Sequence, residues 1–211
     1  MSDLVIFGAG GFGREVLAYA EEAGMTVAGF VDDNPTAVDG FDLSVGVIGS
    51  VADVDVDRYD WVVALGDAVL RRRVHRSLAL VGANFRTVAH PSAYVARTAQ
   101  VGDGCILCPF SLVAAHSTLE ADVALNTYAS VGHDATVGAH SVLSPYAVVN
   151  GNVTLGEAVF LGTGAIVTPG RSVGRDTKVN VLTAVSRDVE PGSLVAGNPM
   201  RSRVMFPVDE A

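Results

Sequence analysis

The side chain best placed to move a proton in this chain is His133, because a carboxylate follows it at once in Val131-Gly132-His133-Asp134-Ala135-Thr136-Val137-Gly138. Imidazole changes charge near neutrality. A neighbouring carboxylate can hold the ring in one tautomer and raise its basicity, which is the pairing that general-base chemistry uses. His116 and His140 lie in the same stretch. A second kind of chemistry is written in glycine near the N-terminus: Gly8-Ala9-Gly10-Gly11-Phe12-Gly13 fits G-x-G-x-x-G. Glycines in such a turn let the backbone approach a ligand, and free N–H groups at a helix start attract phosphate. Asp32, in Asp32-Asp33-Asn34-Pro35, falls near the spacing expected of an acid that holds a ribose.

The elements that must position these groups have two rhythms. From Val95 to Val185 every sixth residue is valine or leucine, sixteen in succession, and four places after each comes a second phase in which only Arg171 is not small. A period of six is neither the 3.6 of a helix nor simple alternation. It suits short strands separated by regular turns around a closed tube, with the aliphatic residue inward and the small residue where the chain bends, the pattern of a parallel β-helix. If three hexapeptides make one triangular coil, residues eighteen apart stack at about 4.8 Å. His133 then points outward, with Gly151 one coil above and Ala115, beside His116, one coil below. Small neighbours leave a groove beside the imidazole. Cys105 and Cys108 form a lone Cys-x-x-Cys, too few ligands for a zinc site, and Cys105 falls on the small inward phase. Both are expected to be reduced cysteines beside a packed core.

The first 90 residues read as an α/β unit. Leu4-Val5-Ile6-Phe7 and Val27 to Val31 predict strands, Arg14 to Gly24 a helix with Val16, Leu17 and Ala20 on one side, Trp61 to Leu65 a further strand and Asp67 to Leu80 a second helix. This is too short for both halves of a full dinucleotide domain, so it is expected to hold one nucleotide end of a ligand. Arg71-Arg72-Arg73 reads as a solvated helix face, and His90 as structural. The domain organisation is therefore a Rossmann-like half-domain over 1–90, an all-β parallel β-helix over 91–190, and a cap and tail over 191–211 that closes the open end of the tube.

Composition narrows the function classes. Fourteen basic residues against 23 acidic give a net charge of −9, which argues against sequence-blind binding of nucleic acid or anionic lipid. No apolar run approaches the roughly 20 residues of a membrane span. Met1-Ser2-Asp3 lacks the basic start of a signal peptide, which points to the cytoplasm.

Several stretches resemble one family: Gly8 to Val16, Phe30-Val31-Asp32-Asp33, Ala89 to Ala93, Leu125-Asn126-Thr127, Gly132-His133-Asp134, Gly151-Asn152-Val153 and Val195 to Pro199. Together they resemble the bacterial sugar O- and N-acetyltransferases of the sialic-acid and bacillosamine type, over nearly the whole chain and in order. The resemblance implies a left-handed β-helix of hexapeptide repeats, a homotrimer, and acetyl transfer from acetyl-CoA to a nucleotide-linked sugar at a site between neighbouring copies. It makes His133 the base and Asp134 its carboxylate. Gly151, Val142 and Thr163 fall on the coenzyme side, and Asn126 on the acceptor side. Gly10, Gly11, Phe12, Asp32, Asp33 and Gly66 match positions that hold the nucleotide. A thioester is already activated, so the task is to bring two substrates together and accept one proton; no metal is required. The chain departs from the family at Val142, where a second histidine is common, and at Phe12, where some members carry a polar residue. Two rival readings use the same fold. A trimeric zinc carbonic anhydrase needs three histidines converging on one metal, and a noncatalytic nucleotide-sugar scaffold needs none.

Overall fold

A computed structural model describes residues 2–206 and 208. β1 (Leu4–Phe7), α1 (Gly11–Glu22), β2 (Val27–Val31), β3 (Val47–Gly49), β4 (Asp60–Val63), α2 (Ala68–Leu80) and β5 (Asn84–Phe85) form the N-terminal unit. Its sheet is parallel throughout, in the order β3-β2-β1-β4-β5. The short strands β3 and β5 carry too few apolar residues to stand out in the sequence. Strands β1, β2 and β4 are almost wholly buried, because helices or the β-helix cover them, and so they read as continuous apolar runs rather than alternations.

From Val88–Ala89 to Ala184–Val185 the chain winds as two-residue strands in three parallel sheets, each pairing with the strand eighteen residues on, as in Val113 with Val131 and Leu125 with Leu143. Val88–Ala89, just before residue 90, already pairs with Ile106–Leu107. The inward aliphatics fill the tube, with Val113, Leu119, Leu125, Val131 and Val137 at 1 % exposure or less, and the small second phase, such as Ala129 and Ala135, is equally buried. Each fully buried aliphatic contributes roughly 1.5–3 kcal/mol. The sixfold rhythm therefore states where the core is.

Between the outward lead-in residue and the small inward residue sits a corner residue with left-handed backbone. Asp122, Asp134, His140 and Asn152 occupy such corners, and so do Phe110, Tyr128 and Tyr146, with φ between 58° and 62°. An L-residue there costs about 1 kcal/mol or more, least for Asn and Asp. The ladder of pairing around the tube fixes the corners regardless.

The three faces differ in what they show outward. One carries Gln100, Thr118, Thr136, Thr154 and Ser172, a polar face. The second carries Ile106, Ala124 and Val142, buried in one apolar cluster with Val16, Leu17 and Ala20 of α1. The third carries Tyr94, Leu112, Val148 and Ile166, apolar residues that remain partly or largely exposed. At the far end Ser193–Ala196 extends a β-helix sheet beside Lys178–Val179 and turns back antiparallel into Arg201–Val204, while Val195 and Met200 plug the core.

α2 docks by polar groups. One corner stacks Asp122, His140 and Asp176, each turned toward the helix. Arg71 is fully buried: it pairs with Asp122 at 2.6 Å, and its guanidinium donates to the carbonyls of Asp122, Gly104 and Val63. Arg72, 3 % exposed, pairs with Asp176 at 2.8 Å. The expectation of a solvated Arg71-Arg72-Arg73 face is corrected here, since only Arg73 is exposed. A guanidinium can be buried when fixed carboxylates and carbonyls satisfy it, and the two carboxylates lie more than fifty residues away in sequence.

Candidate active site

The hexad places His133 one residue before a corner, so its ring stands off the tube; its side chain is 65 % exposed and that of Asp134 51 %. His133 Nδ1 lies 2.8 Å from Asp134 Oδ2. An ionised carboxylate only accepts, so in the neutral ring Nδ1 carries the hydrogen and Nε2 has the lone pair. Gly151 lies against the ring: a Cβ on Gly151 would come within 2.6 Å of both Cε1 and Nε2 of His133. The missing side chain one coil above is therefore the space the imidazole itself occupies. A groove of about 290 Å³ runs beside it, lined by Gly132, His133, Gly151, Asn150, Val148 and Pro169 among others. Ser130, Asn150 and Pro169 were not singled out from the sequence, although stepping by eighteen from His133 through Gly151 reaches Pro169.

The other predicted residues fall into three places. Gly10 and Gly11 after β1, Asp32 and Asp33 after β2, and Gly66 after β4 converge on the carboxyl edge of the N-terminal sheet, where strand order reverses about β1 and ligands of such sheets bind. Gly10 and Gly66 have open space where a Cβ would stand. A Cβ on Gly13 would meet the Gly8 carbonyl oxygen at 1.9 Å, so this glycine serves the approach of α1 to β1. Asp32 Oδ2 accepts from the Ala9 N–H at 2.8 Å and Oδ1 from Asn34 N–H, which holds the two turns after β1 and β2 together. Phe12 packs its ring on the cluster under α1.

Asn126 sits on the β-helix edge nearest α1 and donates to the Leu143 carbonyl at 3.0 Å; its neighbour Thr127 lies close to Tyr19 of α1. Thr163 is exposed on the same edge, which is not the edge of His133. Val142 is not brought to the groove. It is 2 % exposed in the apolar cluster beneath the N-terminal unit, because its hexad phase puts it outward on the covered face.

The remaining histidines have other work. His116 stacks one coil below Asp134, its backbone N–H held by Thr98. His140 is 8 % exposed in its side chain, with Nδ1 2.9 Å from the fully buried Asp122. A histidine so enclosed cannot join His116 and His133 around one metal, which removes the geometry the anhydrase reading needs. Among the described residues no group of three His, Cys, Asp or Glu side chains is placed to hold a metal, and no helix is long and apolar enough to cross a membrane. His90 ties α1 to the β-helix through Glu22, 2.6 Å away, and Ser92. Cys105 and Cys108 are buried and free, and burial pushes both thiols up to about 12.

The molecule superposes over nearly its full length on a histidine-to-asparagine variant of perosamine N-acetyltransferase from Caulobacter crescentus solved with CoA and GDP-perosamine, with TM-score 0.90, 32% identity, and coverage of 96% of this chain and 97% of that one. The chain belongs to the bacterial sugar acetyltransferases of the hexapeptide-repeat superfamily. The acetyltransferase domain of PglB from Neisseria gonorrhoeae FA1090 is similarly close, with TM-score 0.87, 31% identity, and coverage of 95% and 99%. Residues 3–78 match the PglD N-terminal domain family. GDP-perosamine N-acetyltransferase of Escherichia coli O157:H7 is 31% identical over 138 residues, so the match spans 61% of this chain and 61% of that relative's length. The chain therefore has the expected architecture, a Rossmann-like half-domain followed by a left-handed β-helix.

Proposed function

We propose that this sugar acetyltransferase moves an acetyl group from acetyl-CoA to the amine of a nucleotide-linked amino sugar, with His133 as general base, at a site completed between copies of a homotrimer. The observation that carries the reading is the His133–Asp134 pair at 2.8 Å, its free Nε2 standing over Gly151 in an open groove. Two further observations support it. The Caulobacter crescentus relative is described with CoA and GDP-perosamine, a nucleotide-linked amino sugar. His133 also stands at one edge of the exposed apolar face, where a neighbouring copy would cover Leu112, Val148 and Ile166.

The chemistry follows from the atoms. The sugar nitrogen attacks the thioester carbonyl carbon, a C–N bond forms, and the C–S bond breaks as the tetrahedral intermediate collapses. His133 Nε2 takes the proton that the nitrogen sheds, and the leaving thiolate receives one. Asp134 keeps Nδ1–H fixed and stabilises the imidazolium. A positioned base of this kind contributes about 10²–10⁴ in rate. The nucleotide lies at the carboxyl edge of the N-terminal sheet, against Gly10, Gly11, Asp32, Asp33 and Gly66. CoA runs from Gly151 of one copy toward Thr163 of the next, and Asn126 faces the acceptor. Both co-substrates place the work in the cytoplasm.

The test is thiol release from acetyl-CoA over a panel of amino-sugar and hydroxy-sugar nucleotides. Release with an amino sugar, abolished in His133→Ala while the assembly stays intact, is the expected result. Near-normal turnover in that variant removes His133 as the base, and silence across the whole panel favours a binding scaffold.

A further inference from the structure

The three edges of the β-helix use the costly left-handed corner differently. On the edge of His133 the corners are His116, Asp134, Asn152 and Gly170, and on the edge under α2 they include Gly104, Asp122, His140 and Asp176. These are mostly residue types that tolerate left-handed backbone. The third edge carries Phe110, Tyr128 and Tyr146, all with φ near 60°. Bulky rings are uncommon there. The three rings stack in a ladder with centroids 5.0 Å apart and interplanar angles of 10° and 13°. They remain 55 %, 45 % and 58 % exposed. A strained, exposed aromatic ladder points to something that covers it.

What covers it is indicated by charge. In a chain of net charge −9, the segments 108–113, 126–131, 144–149, 162–167 and 180–185, which make this edge and the exposed apolar face, contain no Asp, Glu, Lys or Arg. Depletion of charge marks the core of a protein contact, and this surface is uncharged enough to meet a second uncharged surface, its own copy. The groove of His133 borders the opposite edge of the same face. In a closed ring of parallel copies packed about that face, contacts are heterologous, so the ladder edge of one copy meets the His133 edge of the next.

We infer that Tyr128 and Tyr146 of one copy form the aromatic wall of the His133 groove of its neighbour, as positioning residues for the bound substrates. The inference rests on the trimeric reading above. The wall also borders the route of the acceptor: α1 begins at the glycine turn, and Tyr19, about 12 Å further along that helix, lies close to Thr127, the neighbour of Tyr128. A nucleotide-linked sugar held at the sheet edge therefore reaches the ladder of its own copy and, across the contact, the imidazole of the next. The ring edges and hydroxyls exclude bulk water and hold the sugar in line with the thioester.

The test replaces both tyrosines, Tyr128→Gly and Tyr146→Gly, in the full chain. Glycine relieves the left-handed corners, so the variant is expected to stay folded, read by circular dichroism. The inference expects KM for the amino-sugar nucleotide to rise about tenfold or more, beyond any fall in kcat. The decisive arm co-expresses this variant with His133→Ala under a second tag and purifies mixed assemblies. If the wall acts across the contact, mixed assemblies assayed at low amino-sugar nucleotide show more activity than the two parents together, because some sites join an intact His133 to an intact ladder. No recovery in mixed assemblies that do form, or full activity in the glycine variant, overturns the inference. A glycine variant that stays folded but loses assembly supports the ladder as the contact between copies. In Tyr128→Phe and Tyr146→Phe the assembly is expected to survive, and unchanged kinetics there assign the role to the rings rather than the hydroxyls. A wild-type protein with the mass of one chain in solution would sink the trimeric reading itself, whereas an intact trimer indifferent to the glycine changes sinks only the ladder.

Discussion

Two His–Asp pairs seven residues apart show how one repeat produces opposite outcomes. His133 and Asp134 are adjacent in sequence and stand in solvent, 65 % and 51 % exposed. His140 meets Asp122 from the coil below and is sealed under α2, 8 % and 0 % exposed, with Arg71 on the other side of the same carboxylate. The distances, 2.8 and 2.9 Å, are nearly the same. What differs is which edge of the prism each pair occupies, and whether a helix covers it. An open pair can exchange a proton with a substrate; a covered pair shared with a guanidinium holds two domains together.

The comparison breaks most visibly if the two histidines are removed in turn. His133→Ala is expected to lower turnover about 10²–10⁴-fold with the unfolding midpoint unchanged. His140→Ala is expected to leave turnover at low temperature largely intact while costing about 1–3 kcal/mol of stability, read by denaturant unfolding, because Asp122 loses a buried donor. Arg71→Leu sharpens the same contrast from the other partner. Breaking a fully buried pair leaves Asp122 uncompensated and costs roughly 3–5 kcal/mol, again seen in unfolding rather than in chemistry.

A smaller effect separates the role of Gly151 from that of a plain groove. Gly151→Ala puts a methyl 2.6 Å from the His133 ring, so the imidazole must turn, and a loss of about tenfold in kcat is expected, since small misplacements are costly. In the double variant with His133→Ala that loss should vanish, because there is no ring left to displace. Additive losses would mean that Gly151 acts on the coenzyme alone. Gly151→Trp fills the groove, and acetyl-CoA affinity, measured by calorimetry, should fall with it.

The gentlest test is pH. Burial holds His75 below the ordinary imidazole value, with Arg71 and His140 adding to the shift and Asp122 opposing it. The folded state thus resists a proton that the unfolded chain accepts near pH 6.5. The stability this group supports is complete above that pH and falls as pH drops below it. Unfolding midpoints measured from pH 7 to pH 5 should decline, and His75→Gln should flatten the decline.

Much of this was legible in the sequence. The inward aliphatics repeat at six because each faces the same tube, so the β-helix, its stacking by eighteen and the outward His133 could all be counted. Gly10 and Asp32 could be placed at strand ends from the G-x-G-x-x-G spacing and the acid that follows the second strand, whereas Gly66 came only through the family resemblance. Arg71 and Arg72 were not readable, since local polarity says nothing about a carboxylate fifty or a hundred residues away. Val142 misled for a related reason: its place in the hexad gives a face, and only the docking of α1 shows that face to be covered. Phe110, Tyr128 and Tyr146 were not singled out, because no sequence rule assigns aromatic rings to left-handed corners.

The most direct test of the central claim is a crystal structure of the protein with CoA and an amino-sugar nucleotide bound together. The account predicts the sugar nitrogen about 2.6–3.2 Å from His133 Nε2, with Asp134 still on Nδ1 and the ladder of a neighbouring copy against the ligand. A sugar amine bound away from that imidazole, or a groove facing open solvent in the assembled protein, would contradict it.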